Sequence, residues 1–226
     1  MTDVNAPKPY RIEVEVPASR DDVWVALTQP ELVRQWFGWD HPGLDDEIQQ
    51  IFVDLATLNA ARRMGWADGS YLEADGDDDR SVVRAVRESA GDPQAYDGIE
   101  EGWRAFLHQL RFLFEQRPTG PRRTLHLTGT ATGADAVKAV GDGRTVHESA
   151  RQRALVDADG HLVVVASQAE IDSADTSRVE VTVSAYGLDD AAFAALRDRW
   201  ADRWLPVARD AEVTAGRTAA PEPSAD

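Results

Sequence analysis

Hydrophobic and polar positions alternate from Tyr10 to Pro17, with Ile12, Val14 and Val16 on one side and Arg11, Glu13 and Glu15 on the other. A period of two residues predicts a half-buried strand. The period then changes. Ser19 stands where a helix N-cap belongs, and Asp21 and Asp22 place negative charge in the first turn, where the helix dipole favours it. Pro30 opens a second short helix, Glu31 to Trp36, because proline is tolerated at a first helical position, and Phe37-Gly38 stops it. The most regular pattern runs from Ile99 to Gln116. Ile99, Trp103, Phe106, Leu107, Leu110, Leu113 and Phe114 recur every three to four residues opposite Glu100, Arg104 and Arg111, which predicts a long helix with one buried face.

Between these helices, a polar turn from Trp39 to Asp46 precedes four expected strands, at Glu47 to Leu55, Arg62 to Ala67, Ser70 to Ala74 and Ser81 to Glu88. Asp68-Gly69 is a tight hairpin signal between the second and third, and Asp75 to Asp79 joins the third to the fourth. After the long helix, two prolines and a glycine predict a linker over 118–123. A strand at Thr124 to Thr130, a short helix at Gly133 to Val140, and strands at Thr145 to Asp157, His161 to Gln168 and Ser177 to Tyr186 are expected next. Phe193, Leu196, Trp200, Trp204 and Val207 stripe a last helix, and the tail 211–226, rich in Ala, Thr, Pro and acids, is expected to be disordered. The chain therefore divides into 1–117, the linker 118–123, an α+β segment 124–210 and the tail. The C-terminal segment repeats the outline of the first in strand, helix, strands and aromatic-striped helix. A divergent repeat would explain this, but an extension is favoured, since Pro17, Trp24 and Trp36-Phe37-Gly38 have no counterpart after residue 121.

The order of strand, helix, proline, short helix and Trp-Phe-Gly resembles the START-like (SRPBCC) superfamily, and within it the branch named for the activator of the heat-shock protein (Hsp) ATPase. The residues that carry the resemblance are Pro17, Val23, Trp24, Leu27, Pro30, Leu32, Trp36, Phe37 and Gly38, followed by Gly102-Trp103 and the stripe behind it. The resemblance spans about residues 10–117. It implies an α+β helix-grip fold, in which a curved antiparallel sheet wraps one long helix and an apolar cavity lies between them. By that implication Trp24, Trp36, Phe37, Trp66, Tyr71, Trp103, Phe106, Leu110 and Phe114 face the cavity, as lining or as core. One of Arg62, Arg63, Arg84 and Arg87 could present a cation at its mouth. One fold hosts many functions, so the resemblance speaks less to function.

Composition narrows the partners. The net charge of −16 repels nucleic-acid phosphates and anionic membranes. Apolar runs such as Leu162 to Ala166 are far too short to span a bilayer, and the opening residues lack a secretory pattern, so a cytoplasmic protein is expected. The absence of cysteine excludes disulfides, thiol nucleophiles and thiolate metal sites.

Catalytic signals are sparse. The Asp75 to Asp79 run lacks the glycine and distal acid of a calcium loop, since Arg80 and Val86 occupy those places. His41, His108, His126, His147 and His161 show no metal-ligand spacing, and each is expected to be a partly exposed surface residue. His108 would become a general-base candidate if it pointed into the cavity. No phosphate loop or nucleophile elbow is present. The expectation is a protein without cofactor, metal or evident catalysis that binds a small apolar or amphipathic molecule. A protein-interaction or chaperone-regulating module and a cyclase- or hydrolase-type enzyme are the alternatives.

Overall fold

The computed structural model describes residues 6–216. The opening alternation forms β1 (Tyr10–Val16), whose even-numbered residues are buried and whose odd-numbered residues are exposed. Helix α1 (Arg20–Thr28) begins at the Ser19 cap, whose side chain accepts from the Asp22 amide, and α2 (Pro30–Val33) starts on its proline. The expected strand at 47–55 is instead helical. Leu44, Ile48 and Phe52 are all buried at a spacing of four, and they place α3 (Leu44–Gln49) and a following π-helical turn (Gln50–Asp54) against the core. Four short strands follow: β2 (Thr57–Asn59), β3 (Arg63–Gly65), β4 (Tyr71–Gly76) and β5 (Ser81–Arg87). Helix α4 (Gly98–Gln116) is the long helix, capped by Asp97 at its start and closed by Arg117 in a left-handed conformation.

The strand β6 (Arg122–Thr132) begins inside the expected linker, which leaves a short connection around 118–121. Gly120 and Gly187 meet there with positive φ, and a side chain on Gly120 would lie 2.6 Å from the Gly187 Cα, so neither position has room for one. Helix α5 (Gly133–Val140) is followed by β7 (Arg144–Glu148) and β8 (Gln152–Val156). These two replace the single strand expected over 145–157, because Ser149 turns the chain back by donating its amide to the Gln152 carbonyl. The chain continues through β9 (Leu162–Ser167), β10 (Thr176–Tyr186), α6 (Asp190–Trp204) and β11 (Arg209–Ala215). β11 overturns the disorder expected for residues 211–215, which pair with β6 as a sheet edge. The expectation for 217–226 lies outside the described residues.

The strands form two antiparallel sheets, ordered β1-β5-β4-β3-β2 and β11-β6-β10-β9-β8-β7. Apart from the added β11, the second sheet has the strand order of the first, and the equivalent strands β5 and β10 each lead into a long helix. The architecture is α+β and helix-grip: α4 lies along the first sheet, with Val14, Val16, Val83, Ala85, Leu107 and Leu110 in one continuous core. The opposite face of α4 meets the second sheet, where Phe112 joins Ala154, Leu162 and Val164. The far face of that sheet packs on α6 through Leu127, Val163, Val181, Phe193, Trp200 and Trp204. A sheet covered on both faces explains why β9 reads as an unbroken apolar run. The two most deeply buried indoles are satisfied: Trp36 donates to the Ala26 carbonyl at 2.9 Å and Trp204 to the Thr128 carbonyl at 3.0 Å.

One buried side chain joins the two parts. Arg122 donates to the carbonyls of Phe37 and Gly38, both at 2.8 Å, to the Ser184 hydroxyl at 3.1 Å, and to the Gln109 side-chain oxygen. Burial pushes its guanidinium below the ordinary value, with the Tyr186 phenol and Asp40 carboxylate pulling the other way. Beside it, Tyr186 donates to the Gln35 carbonyl at 2.6 Å, and the Asp40 carboxylate accepts from the Thr124 amide at 2.9 Å. Replacing Arg122 by alanine strands several buried acceptors, so Arg122→Ala is expected to cost about 3 kcal/mol or more. Arg122→Lys should recover little, because an ammonium lacks the planar fork of donors. Urea denaturation of both variants checks this, and an alanine cost under about 1 kcal/mol would refute it.

Candidate functional site

The helix-grip space between α4 and the first sheet is occupied by core side chains. The cavity of interest, about 420 Å³, opens along the flank of α4, between the aromatic edge of that core and the second sheet. Its apolar wall comes from Phe37, Trp39, Ile51, Trp103 and Phe106, and its opposite wall from the strands β6, β9 and β10. The geometry follows from local sequence. Gly38 adopts φ +58° after Phe37, and this turn directs Phe37 toward Phe106, with ring centroids 4.7 Å apart. Gly102 leaves the α4 surface open beside Phe106. On β10, the residues facing α4 alternate as Arg178, Glu180, Thr182 and Ser184, while Val179, Val181 and Val183 face α6. The wall opposite the aromatics is consequently polar.

The structure separates the residues expected at the cavity. Phe37, Trp103 and Phe106 line it. Trp24, Trp36 and Leu110 are buried in the core formed with the first sheet, and Phe114 is partly buried against that core. Trp66 is half-buried, donates to the Ile51 carbonyl at 2.8 Å and backs Trp103 with ring centroids 5.6 Å apart. Tyr71 lies under the Arg63 guanidinium at 3.9 Å. The candidate mouth cations are engaged elsewhere: Arg62 with Asp21, Arg63 with Glu73, Arg84 with Glu13 and Glu73, and Arg87 with Asp97. They belong to the outer surface of the first sheet and to loop anchoring, since helix and sheet close without a mouth between them.

Residues that pattern reading missed supply the polar chemistry. His126 lies flat on Trp39, with centroids 4.0 Å apart and planes 10° from parallel, and its Nδ1 lies 3.2 Å from the Thr182 hydroxyl. Burial lowers its pKa to about 4, so the imidazole is neutral over the ordinary range. Burial pushes the Glu101 carboxyl upward while Arg104 pulls it down, and Glu101 accepts from the Gln152 amide at 2.7 Å. Tyr96 reaches the cavity from the loop before α4, under the Arg151 guanidinium at 5.6 Å. None of these residues carries a sequence signal of its own. The alternation of polar residues on β10 could have identified one wall, but only with the knowledge that a helix covers that face.

The histidines also differ from expectation. His108, His126 and His161 are buried. His108 stacks on His147 with centroids 3.9 Å apart, where the second sheet covers α4. Burial lowers His108 to about 3 and His147 to about 4. His108 lies outside the cavity lining. The described residues include one group with donor atoms close enough for a metal, namely Asp157, Asp159 and His161, within 4.8 Å of one another in the β8–β9 turn. The Asp157 carboxylate there already accepts from the His161 amide at 2.8 Å. Among the described residues, no helix is long and apolar enough to cross a membrane.

No protein-family model matches the chain, and no curated protein matches it. Among solved structures, DynU16, a protein of the dynemicin biosynthetic locus, is 14% identical with a TM-score of 0.30, over 87% of this chain and 95% of that one. The di-domain ARO/CYC BexL is 15% identical with a TM-score of 0.36, over 84% and 88%. The di-domain ARO/CYC StfQ is 10% identical with a TM-score of 0.33, over 83% and 87%. At these scores the likeness carries no argument, and the fold rests on its own topology.

Neutral buried histidines make stability depend on pH. The unfolded chain takes up protons near the ordinary value of 6.5, whereas the folded chain resists until about 3 to 4. Stability from this source is complete above about pH 6.5 and is lost as pH falls toward 4, with Glu101 working in the opposite sense at the acid end. Urea midpoints across this window should fall steadily, and the slope should flatten in a His108→Phe, His147→Phe double variant. An unchanged slope in the variant would refute the assignment.

Proposed function

We propose that the protein binds a small, largely apolar molecule in the cavity between α4 and the second sheet. The observation that carries this reading is the cavity itself. It has the size of a small-molecule site, with one aromatic wall and a few converging polar groups opposite. The division into a unit ending at residue 117 and a second, expected over 124–210 and here built from β6 to β11, belongs to the same proposal: each unit supplies one wall, and neither has the site alone.

A cyclase- or hydrolase-type enzyme is the second reading, favoured by one arrangement. His126 and Glu101 line the same cavity, a neutral imidazole and a partly desolvated carboxyl, the group types that proton transfer on a bound molecule would use. The Hsp-ATPase-activator branch rests on sequence resemblance alone. Its matching residues Val23, Trp24, Leu27, Trp36 and Phe37 are buried, so they support the fold more than a partner surface.

A neutral environment-sensitive dye such as Nile red should bind the native protein and gain fluorescence. Phe106→Ala is expected to weaken dye binding about tenfold, roughly the contribution of an aromatic contact in an apolar site. Leu110→Ala should cost about 2–5 kcal/mol of stability and leave dye affinity unchanged, because Leu110, one turn beyond Phe106, is buried in the core with the first sheet and does not line the cavity. Equal affinity in the Phe106 variant and wild type would place the ligand elsewhere.

A further inference from the structure

The cavity's charge points to the class of its ligand. Its lining carries three carboxylates, Glu47, Glu101 and Glu180, and one guanidinium, Arg178. The partners of these groups do not neutralise the interior equally. Arg178 pairs with Glu180 at 3.0 Å where both side chains are well exposed, and His41 lies 3.0 Å from Glu47 at the half-exposed edge. Glu101 differs, being 11% exposed, with a neutral amide from Gln152 as its hydrogen-bond partner and the Arg104 Nε 3.6 Å away. Lys8 and Arg104, the nearby cations, are shared with Glu100, at 2.6 and 2.8 Å. Glu101 is thus a partly desolvated carboxylate on the wall of an aromatic cavity, beside Trp103 and Tyr96, in a protein of net charge −16. Such a field draws cations and repels anions, and aromatic faces bind organic cations favourably.

We propose that the ligand of this cavity is an amphipathic amine, bound as its cation with the apolar body against Phe37, Trp103 and Phe106 and the ammonium at Glu101. The inference rests on the cavity being the ligand site. The upward push of burial on the Glu101 carboxyl accords with it, because a bound cation would replace the lost solvation and restore the charged form. Arg178 is the one lining group that would favour an anion. Its side chain is more than half exposed at the rim of the cavity, where screening weakens it.

Three probes of one shape and different charge test this: naphthylmethylamine, naphthylmethanol and naphthoate. Each is titrated both by displacement of Nile red and directly by tryptophan fluorescence. The amine should bind about tenfold more tightly than the alcohol, a modest figure for a partly desolvated ion pair, and naphthoate should bind most weakly. Glu101→Gln, which keeps an oxygen and an amide at the position, should remove most of that advantage, bringing the amine and the alcohol to within about twofold of each other. The advantage in wild type should also shrink as pH falls through the raised Glu101 pKa. That reading takes account of the groups facing the carboxyl: Glu100 and Arg104 on α4, Lys8, Tyr96, and Glu47, His126, Arg178 and Glu180 across the cavity. An alcohol that binds as well as the amine, or a naphthoate that binds best, overturns the proposal while the cavity reading stands. Failure of the dye and all three probes overturns both.

Discussion

The buried guanidinium of Arg122 is the contact on which the arrangement of this protein depends. It stands at the first residue of β6, deep between α4 and the short helices that follow β1. It is held by two main-chain carbonyls at the end of the Trp-Phe-Gly turn and by Gln109 and Ser184. No carboxylate lies in direct contact with it among the described residues, so its charge is solvated by oriented dipoles in place of water. Such an arrangement is stable only while every acceptor stays in position. The acceptors come from three distant stretches of chain, so this one side chain ties them together.

That convergence changes the role of α4. A helix gripped by one sheet would bury a single stripe and expose the rest. Here the second sheet lies on the opposite face, so His108, Gln109 and Phe112 are buried together with Leu107 and Leu110. Polar residues on a doubly covered helix need partners. Gln109 has Arg122 and Ser184, whereas His108 has the face of His147 and a neutral, strongly acid-shifted ring. The remaining gap between the helix and the polar face of β10 is the cavity.

The same logic gives the cavity two different walls. Phe37, Trp103 and Phe106 pack against one another in tilted and edge-to-face contacts, with Phe52 and Trp66 behind them, making a continuous apolar surface. The facing strands present His126, Thr182 and Glu180, because β10 alternates and its apolar set is committed to α6. If the proposed ligand site is correct, an aromatic wall facing a polar sheet face suits molecules with one apolar side and one polar end.

Local pattern determined much of this in advance. The alternation of β1, the Ser19 and Pro30 starts, the α4 stripe and the α6 stripe are legible because each reports a periodicity set by its own backbone. The helix-grip arrangement was an expectation from the family resemblance that Pro17, Trp24, Pro30 and Trp36-Phe37-Gly38 carry, and not from periodicity. Where short-range signals competed, the pattern misled: the Leu44, Ile48 and Phe52 spacing was hidden in a run that also reads as a strand, and Arg122 stood among linker prolines. Residues 211–215 looked disordered because an edge strand needs only one side paired, and β6 supplies that pairing from far away in sequence. The location of the cavity was decided by tertiary structure alone. Which face of α4 meets water is a question about the second sheet, and no periodicity within α4 contains the answer. Phe37, Trp103 and Phe106 were legible as aromatic neighbours, but His126, Glu101 and Glu180 became a site only when two sheets met across one helix.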